Sequence, residues 1–222
     1  MKKIVTKFGG SSLADAGQFK KVKSILDMDE ARIYCVPSAP GKRFKEDTKV
    51  TDLLYRLQRQ AAAHDSEGFD KTMATITERY VSIRDELGIE LDIESELDTV
   101  RVNVLAGASA DYTASRGEFL NGKLLAAYLG WRFMDAAKVI YFDEDGTFNS
   151  EKTNVVMMAL LADNVPTVVP GFYGEKPDGS IHTFSRGGSD ITGAIVARAV
   201  SADTYENWTD VSGFLMADPR IV

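Results

Sequence analysis

The sequence has 222 residues, of which 44% are hydrophobic and 27% are charged, and its formal net charge is −7. Such a composition is typical of a globular protein with enough chain for one large domain or two small ones. The negative balance argues against nucleic acid or an anionic membrane surface as a partner, because both are bound through a surplus of positive charge.

Neither the cysteine content nor the apolar runs indicate that the protein is exported or crosses a membrane. Cys35 is the only cysteine, so no internal disulfide can form and a reducing, cytoplasmic location is predicted. Lys7 and the glycines after it interrupt the apolar start, so we predict no signal peptide, and no run is long enough for a membrane span. The closing residues FLMADPRIV contain no helix cap or polar tail, which is typical of a chain cut from a longer one.

Short β-branched or aromatic runs alternate with helical patterns along the chain. Strands are predicted at 2–8, 32–36, 131–135, 139–142, 166–172 and 204–210. Apolar residues three and four positions apart predict helices at 15–28, 49–63, 115–129, 152–163 and 190–200. This alternation favours an α/β fold with a mostly parallel sheet covered on both faces, in which ligands bind beyond the carboxyl ends of the strands.

Residues 64–105 interrupt the alternation. They are rich in charged residues and threonine, with Ile76, Tyr80 and Ile83 at helical spacing, and predict a mainly helical excursion whose charges form a solvated face. The sequence Pro177-Asp178-Gly179 predicts a turn between two short strands. Because no repeat or flexible linker is present, we predict one domain over 1–222.

The first glycine-rich turn is TKFGGSS, residues 6–12. Gly9 and Gly10 follow the first predicted strand and lead into a helix that is predicted to begin near Asp15. Backbone N–H groups at such a turn can bind an anion, and Lys7 adds a positive charge beside them. A tight turn beside a surface lysine is the alternative, and the spacing alone does not decide between the two.

The second glycine-rich turn is SRGGSD, residues 185–190. Gly187 and Gly188 open another predicted helix, with Ser189 or Asp190 as its N-cap. Arg186 has the forked donor geometry that suits a carboxylate or a phosphate. Asp190 beside an anion site requires a cation between them, and either Lys7 or a metal would serve. A plain N-cap next to a surface arginine is the alternative.

Two further patterns have simpler explanations. GEFLNGKL, residues 117–124, nearly matches a P-loop, but Leu124 replaces the hydroxyl residue that would hold Mg²⁺ and the apolar spacing is helical. Ser115 and Glu118 match a capping box, which predicts a helix start there. The chain has two histidines and no Ser–His–Asp, Cys–His or metal-binding spacing. Phosphoryl transfer to a carboxylate would need no histidine base, because that acceptor is already ionised at neutral pH.

Seven motifs occur in the order seen in aspartate kinases of the amino acid kinase superfamily. The sequence resembles that family over nearly its whole length, and residues 64–105 are the least specific part of the resemblance. They are KFGGSS (7–12), PSAPG (37–41), VTDLL (50–54), SRGE (115–118), PGFYG (170–174), SRGGSD (185–190) and WTDVSGFLMADPR (208–220). The resemblance implies an α/β/α sandwich around a mostly parallel, eight-stranded sheet. It also implies phosphorylation of the side-chain carboxylate of L-aspartate by ATP with Mg²⁺, the first step toward lysine, methionine and threonine, in a full-length protein that forms a homo-oligomer.

The resemblance assigns roles position by position. Lys7 resembles the catalytic lysine that stabilises the transferring phosphoryl group, and Asp190 resembles the aspartate that orients it. Glu118 would bind the α-ammonium group of the acceptor and Arg186 a carboxylate. The residues assigned to the nucleotide are Lys7, Gly9, Gly10, Ser11, Ser38, Ala39, Thr209, Asp210, Leu215 and Arg220. The residues assigned to the aspartate pocket are Thr51, Glu118, Arg186, Gly187, Gly188 and Ser189, and no residue is assigned to a metal.

Some positions depart from the family pattern, and two other functions stay open. Ser11 replaces a frequent threonine, Pro40 lies in a loop that often reads SAxG, and Leu215 replaces a tyrosine that would stack near adenine. The rest of the catalytic domain and the tandem ACT domains that usually follow are missing from this sequence. The alternatives are a kinase of the same superfamily with a glutamate or nucleotide acceptor, and a nucleotide-binding module without catalysis.

Overall fold

A five-stranded parallel sheet forms the centre of the protein, whose computed structural model describes residues 2–185 and 187–209. Among these residues the strand order is β3-β4-β2-β1-β7. A separate antiparallel hairpin is formed by β5 and β6. The strands are β1 (Ile4–Phe8), β2 (Arg32–Pro37), β3 (Arg132–Phe133), β4 (Thr167–Val168), β5 (Tyr173–Glu175), β6 (Ile181–Thr183) and β7 (Thr204–Trp208).

Helices connect the strands and cover the sheet. Two short 3₁₀ turns, Gly10–Leu13 and Ala136–Lys138, complete the connections. The helices are α1 (Ala16–Asp27), α2 (Val50–Ala62), α3 (Ser66–Leu87), α4 (Ile93–Leu105), α5 (Ala110–Leu129), α6 (Ser150–Leu160) and α7 (Gly188–Ala199). Within the described part of the chain, no helix is long and apolar enough to cross a membrane.

The apolar core lies in two layers, one on each face of the sheet. Alternate residues of a strand point to opposite faces. Cys35 accordingly packs with α1–α5, whereas Tyr34 and Val36 pack with α6 and α7. The sheet is thus sandwiched between two helical layers, which confirms the predicted α/β/α architecture.

The strand predictions are correct for β1, β2 and β7 but wrong or too long elsewhere. Residues 139–142 form no strand: Tyr141 and Phe142 make only isolated bridges, while Val139 and Ile140 are buried in the core. The β-branched residues of this run are therefore buried in the core and are not paired in a strand. Residues 166–172 contain only the two-residue β4, since Pro166 and Pro170 lack the N–H group that a central strand needs. The eight strands implied by the resemblance are not all present among the described residues.

Two helix starts also differ from the predictions. Helix α5 begins at Ala110, because Ser109 is its N-cap and accepts a hydrogen bond from the Tyr112 amide. Residues 115–118 therefore lie inside the helix and form no capping box. Helix α7 begins at Gly188 with Gly187 as N-cap, so neither Ser189 nor Asp190 caps it. Gly187 has φ 59°, a left-handed conformation that glycine adopts without strain.

The segment 64–105 is helical, as its apolar spacing predicts, and consists mostly of α3 and α4. Its charges do not all form a solvated face. Arg79 on α3 is 1% exposed, and its guanidinium group lies next to the loop that follows β2. This part of the prediction is wrong, since charge content alone does not show which side of a helix a residue occupies.

Candidate active site

The turns after β1 and β2 pack directly on each other at the carboxyl edge of the sheet. The Gly41 amide donates a hydrogen bond of 2.8 Å to the Gly10 carbonyl oxygen. A Cβ atom on Gly10 would lie 2.9 Å from the Ala39 carbonyl oxygen, and one on Gly41 would lie 2.5 Å from the Gly10 carbonyl carbon. Both positions need glycine because the two backbones approach so closely. We call this contact the glycine seam, residues 9–11 and 39–41.

A cavity of about 640 Å³ lies against the glycine seam. It brings together eight residues that sequence reasoning assigned to the site, namely Gly9, Gly10, Ser11, Ser38, Ala39, Thr51, Glu118 and Thr209. The remaining lining residues were not predicted: Pro40, Gly41, Lys42, Arg43, Phe44, Lys45 and Lys49. The four basic residues among them were visible in the sequence as a basic run after Gly41, which was the signal that the sequence analysis left unused.

Lys7 and Asp190 form an ion pair next to this cavity, although neither residue is among those that line it. The Nζ atom of Lys7 lies 2.7 Å from Oδ1 of Asp190. The lysine side chain is 10% exposed and the carboxylate is 48% exposed. A Cβ atom on Gly9 would lie 3.8 Å from the same Nζ, so the ammonium group is adjacent to a cavity-lining turn. The first turn of α7 also favours the negative charge of Asp190, because the amino end of a helix carries partial positive charge.

Two residues of β7 hold Asp190 in place. Asn207, which is paired in register with Lys7, donates from Nδ2 to Oδ1 of Asp190 at 3.0 Å. The Tyr205 hydroxyl donates to the Asp190 backbone carbonyl at 3.1 Å. Burial and the nearby Asp190 charge raise the pKa of Tyr205 above its usual value, so it stays a neutral donor. Sequence reasoning missed Asn207, because only the strand register places it beside Lys7.

Glu118 is a buried carboxyl group in the wall of the cavity. It is 5% exposed, and its Oε2 atom has no hydrogen-bond partner among the described residues. Burial raises its pKa to about 8, against the opposing effects of a hydrogen bond from the Ala39 amide and the charge of Arg116. The group is therefore mostly protonated at neutral pH in the structure as it stands. A cation brought next to it would favour the ionised form.

The residues at the start of α7 form a wall that packs on the loop after β4. A Cβ atom on Gly171 would lie 2.7 Å from Oγ of Ser189, and one on Gly188 would lie 2.7 Å from the Phe172 ring. Gly187 is the N-cap described above. Four predicted site residues lie outside the described residues: Arg186, Asp210, Leu215 and Arg220.

The described residues contain no group of three or more histidine, cysteine, aspartate or glutamate side chains that could hold a metal ion. The candidate site consists of the glycine seam, one adjacent lysine–aspartate pair, a buried carboxyl group and the four basic residues of the loop after β2.

Comparison with known proteins shows the family and the fold to which this chain belongs. Residues 2–222 match the amino acid kinase family, and the chain belongs to that family. It is 37% identical to aspartokinase 3 of Bacillus subtilis over 98% of this chain and 51% of that protein. The crystal structure of Clostridium acetobutylicum aspartate kinase matches with a TM-score of 0.92 and 54% identity, covering 100% of this chain and 51% of that one.

A second solved structure is that of E. coli aspartokinase III in complex with lysine and aspartate. It matches with a TM-score of 0.86 and 26% identity, over 100% of this chain and 52% of that one. The chain thus spans about half the length of the relatives that it matches.

Proposed function

We propose that this chain is a catalytic part of an aspartate kinase. It would transfer the γ-phosphoryl group of ATP to the side-chain carboxylate of L-aspartate, giving 4-phospho-L-aspartate and ADP. The observation that carries the proposal is the Lys7–Asp190 pair, which has 2.7 Å between Nζ and Oδ1 and a half-exposed carboxylate, next to a cavity lined by the glycine seam. The similarity to aspartate kinases supports the choice of acceptor.

The nucleotide phosphates would lie against the turn at Gly9, Gly10 and Ser11. Backbone amides at a turn that leads into a helix are suited to phosphate oxygens. The Lys7 ammonium group would neutralise the charge that develops on the phosphoryl group in transit, and Asp190 would keep that ammonium group in place. Ser38, Ala39, Thr209, Asp210, Leu215 and Arg220 are the further nucleotide contacts of the proposal.

The acceptor would lie between Glu118 and the start of α7. The Glu118 carboxylate would pair with the α-ammonium group, while Arg186 would bind a carboxylate as a fork. Thr51, Gly187, Gly188 and Ser189 complete the proposed pocket. An oxygen of the aspartate side chain attacks the γ-phosphorus, and the bond from that phosphorus to the bridging oxygen breaks and leaves ADP with the electron pair. No proton has to be removed from the acceptor.

Three finer statements belong to the same proposal. Mg²⁺ would accompany ATP and neutralise phosphate charge. A cytoplasmic location is supported by the single, buried Cys35 thiol. The assignment of residues 1–222 to part of one catalytic domain and the homo-oligomer of the full-length protein rest on the resemblance of the motifs.

An acceptor panel tests the function directly. ADP release from ATP and Mg²⁺ is measured for the intact polypeptide that carries this chain, with L-aspartate, L-glutamate, N-acetylglutamate or UMP as acceptor. We expect turnover with L-aspartate only. Turnover with another acceptor alone would assign the protein to a different branch of the superfamily. Binding of ATP and aspartate without any ADP release would favour a non-catalytic nucleotide-binding module.

A further inference from the structure

The loop between β2 and α2 brings a strong positive charge to the cavity of a protein whose net charge is −7. Lys42, Arg43, Lys45 and Lys49 all line the cavity. Among the residues that the structure describes, no ion pair involves Lys42, Lys45 or Lys49. We call residues 42–49 the cationic loop. Lys42 donates from Nζ only to the Lys45 carbonyl oxygen, at 3.4 Å, so within the described chain the lysine charges have no carboxylate partner next to the space in which an anionic ligand would bind.

A buried arginine of α3 is hydrogen-bonded to the residue before this loop and to an aspartate within it. Arg79 donates from Nη1 to the Gly41 carbonyl oxygen at 2.8 Å and from Nη2 to Oδ2 of Asp47 at 2.6 Å. Its side chain is 1% exposed, and its Nε atom has no hydrogen-bond partner among the described residues. The same Gly41 donates to Gly10, so Arg79 is connected through one residue to the glycine seam.

Asp47 in turn holds the middle of the loop. It accepts hydrogen bonds from the Arg43 amide at 2.9 Å, from Nε of Arg43 at 3.0 Å and from the Thr48 amide at 2.9 Å. Burial opposes its ionisation, but these bonds and the Arg79 charge outweigh that effect and lower the pKa of Asp47 to about 2. The carboxylate therefore stays ionised at neutral pH, and the loop is held from Gly41 to Thr48 as one unit.

Fold stability alone does not explain this network. Burying a guanidinium–carboxylate pair costs so much solvation that a well-packed apolar side chain of similar volume is often equally stabilising. The pair does, however, give the loop one geometry, and that geometry directs its cations along the cavity wall. Because these cations are already fixed in place, little conformational entropy is lost when an anion binds.

We propose that Arg79 is a positioning residue, which holds the cationic loop so that Lys42 and Lys45 meet the phosphate groups of the bound nucleotide. The inference rests on the proposed function, because it takes ATP as the ligand of this cavity. The proposal adds α3 to the site, a helix in which the sequence predicted no site residue. The acceptor pocket at Glu118 is not part of this role.

Kinetic constants of four variants test the proposal in the intact polypeptide. Arg79→Lys and Arg79→Met remove the fork, and the double variant Lys42→Gln/Lys45→Gln removes the charges without touching the core. Lys2→Gln makes the same kind of charge change at the amino end of β1, at the opposite edge of the sheet, and is the control. The KM for ATP, the KM for aspartate, kcat and the melting temperature are measured at low and high salt.

We expect the KM for ATP to rise about tenfold in both Arg79 variants and in the double variant, the size of one lost charge–phosphate contact. The KM for aspartate should stay within about twofold, because the loop does not serve the acceptor. In the double variant the salt dependence of kcat/KM for ATP should become weaker. Lys2→Gln should behave as wild type.

Three results would overturn the inference. One is an unchanged KM for ATP in the double variant, and another is a rise in the KM for aspartate alone. The third is a lower melting temperature in the Arg79 variants with both KM values unchanged, which would assign Arg79 to folding only. If wild-type protein shows no turnover with aspartate, the proposed function fails by itself, and calorimetric titration of the same variants with ATP still tests the loop.

Discussion

Two cation–carboxylate pairs each contact a residue that lines the cavity, and they differ in exposure and not in distance. Lys7 and Asp190 are 2.7 Å apart, and Arg79 and Asp47 are 2.6 Å apart. In the first pair the carboxylate is 48% exposed, whereas in the second both side chains are at most 10% exposed. A half-open pair can share its charges with a ligand. A closed pair has its charges satisfied within the protein and can only fix shape.

The difference shows how the two kinds of ion pair are told apart in a structure. Exposed pairs contribute little to stability, because water screens them, and removal of one partner from a buried pair is strongly destabilising. We therefore expect changes in the first pair to alter turnover, and changes in the second to lower stability and, through the cationic loop, to raise the KM for ATP. Four predictions follow from this contrast, in order of decreasing effect.

Replacement of Lys7 by alanine should give the largest effect on turnover. We expect kcat to fall by roughly two to three orders of magnitude, which is the usual result of removing one donor from developing charge. The melting temperature should change little, because the Asp190 carboxylate is half exposed. Steady-state kinetics and calorimetry on the same preparation check both parts. Turnover close to that of the Lys2→Gln control would remove Lys7 from the mechanism.

Replacement of Asp47 by asparagine should mainly destabilise the fold. We expect the free energy of unfolding in urea at pH 7 to fall by about 3 kcal/mol, because the Arg79 guanidinium group is left buried without its counter-charge. The folded-state pKa of about 2 lies below the ordinary value of 3.8, so wild type loses this advantage as the pH falls from about 4 to 2. The two proteins should then converge in stability. A loss below about 1 kcal/mol at pH 7 would contradict a closed pair.

Glu118 extends the comparison to a buried carboxyl group, one of whose oxygen atoms has no hydrogen-bond partner among the described residues. With a pKa near 8, it should bind the α-ammonium group of aspartate better as the pH rises. The KM for aspartate should fall by roughly tenfold from pH 6 to 7 and by roughly fivefold from pH 7 to 8, in step with the ionised fraction. The Glu118→Gln variant should show a higher KM without this dependence.

Stability measurements provide an independent check on Glu118. Its folded-state pKa lies above the ordinary value of 4.5, so its contribution becomes less favourable as the pH rises from about 4.5 to 8. The glutamine variant should therefore be the more stable protein at pH 9. A flat KM profile in wild type, or a glutamine variant that is less stable at pH 9, would show that the carboxyl group is ionised at neutral pH.

Asn207 gives the smallest expected effect. Replacement by leucine removes the donor to Asp190, and the Asn207 Oδ1 atom is buried without a partner among the described residues, so little stability should be lost. We expect kcat to fall about three- to tenfold, the value of one neutral hydrogen bond, with both KM values unchanged. A change in KM for ATP alone would mean that Asn207 acts on the nucleotide and not on Asp190.

The sequence predicts local features of this molecule well. The alternation of strand and helix patterns is sufficient to predict the parallel sheet. The motifs around Lys7 and Asp190 identify two residues that are 183 positions apart in the sequence and form an ion pair in the structure. The strand predicted at 139–142 is wrong because β-branched residues are favoured by burial as well as by pairing. The capping box at Ser115 is wrong because Ser109, one and a half turns earlier, starts the helix.

The rest of the site depends on contacts that no local pattern encodes. Arg79 meets a carboxylate 32 positions away, and Asn207 becomes a partner of Asp190 only through the register of β1 and β7. Glu118 has the residue type expected for an ammonium group, yet its raised pKa follows from its burial where α5 packs on the loop that contains Ala39. A Cβ atom on Gly117 in that helix would lie 2.8 Å from the Ala39 Cβ atom.

The glycine seam has a consequence for how a ligand enters. Because the turns after β1 and β2 are joined backbone to backbone, neither can swing outward without the other, and together they form a fixed floor. The cationic loop is fixed as well by Arg79 and Asp47, so passage in and out must depend on the remaining border, the amino end of α7. Mobility that limits the exchange of products should be found at that border, and stiffening the floor further should leave the exchange rate unchanged.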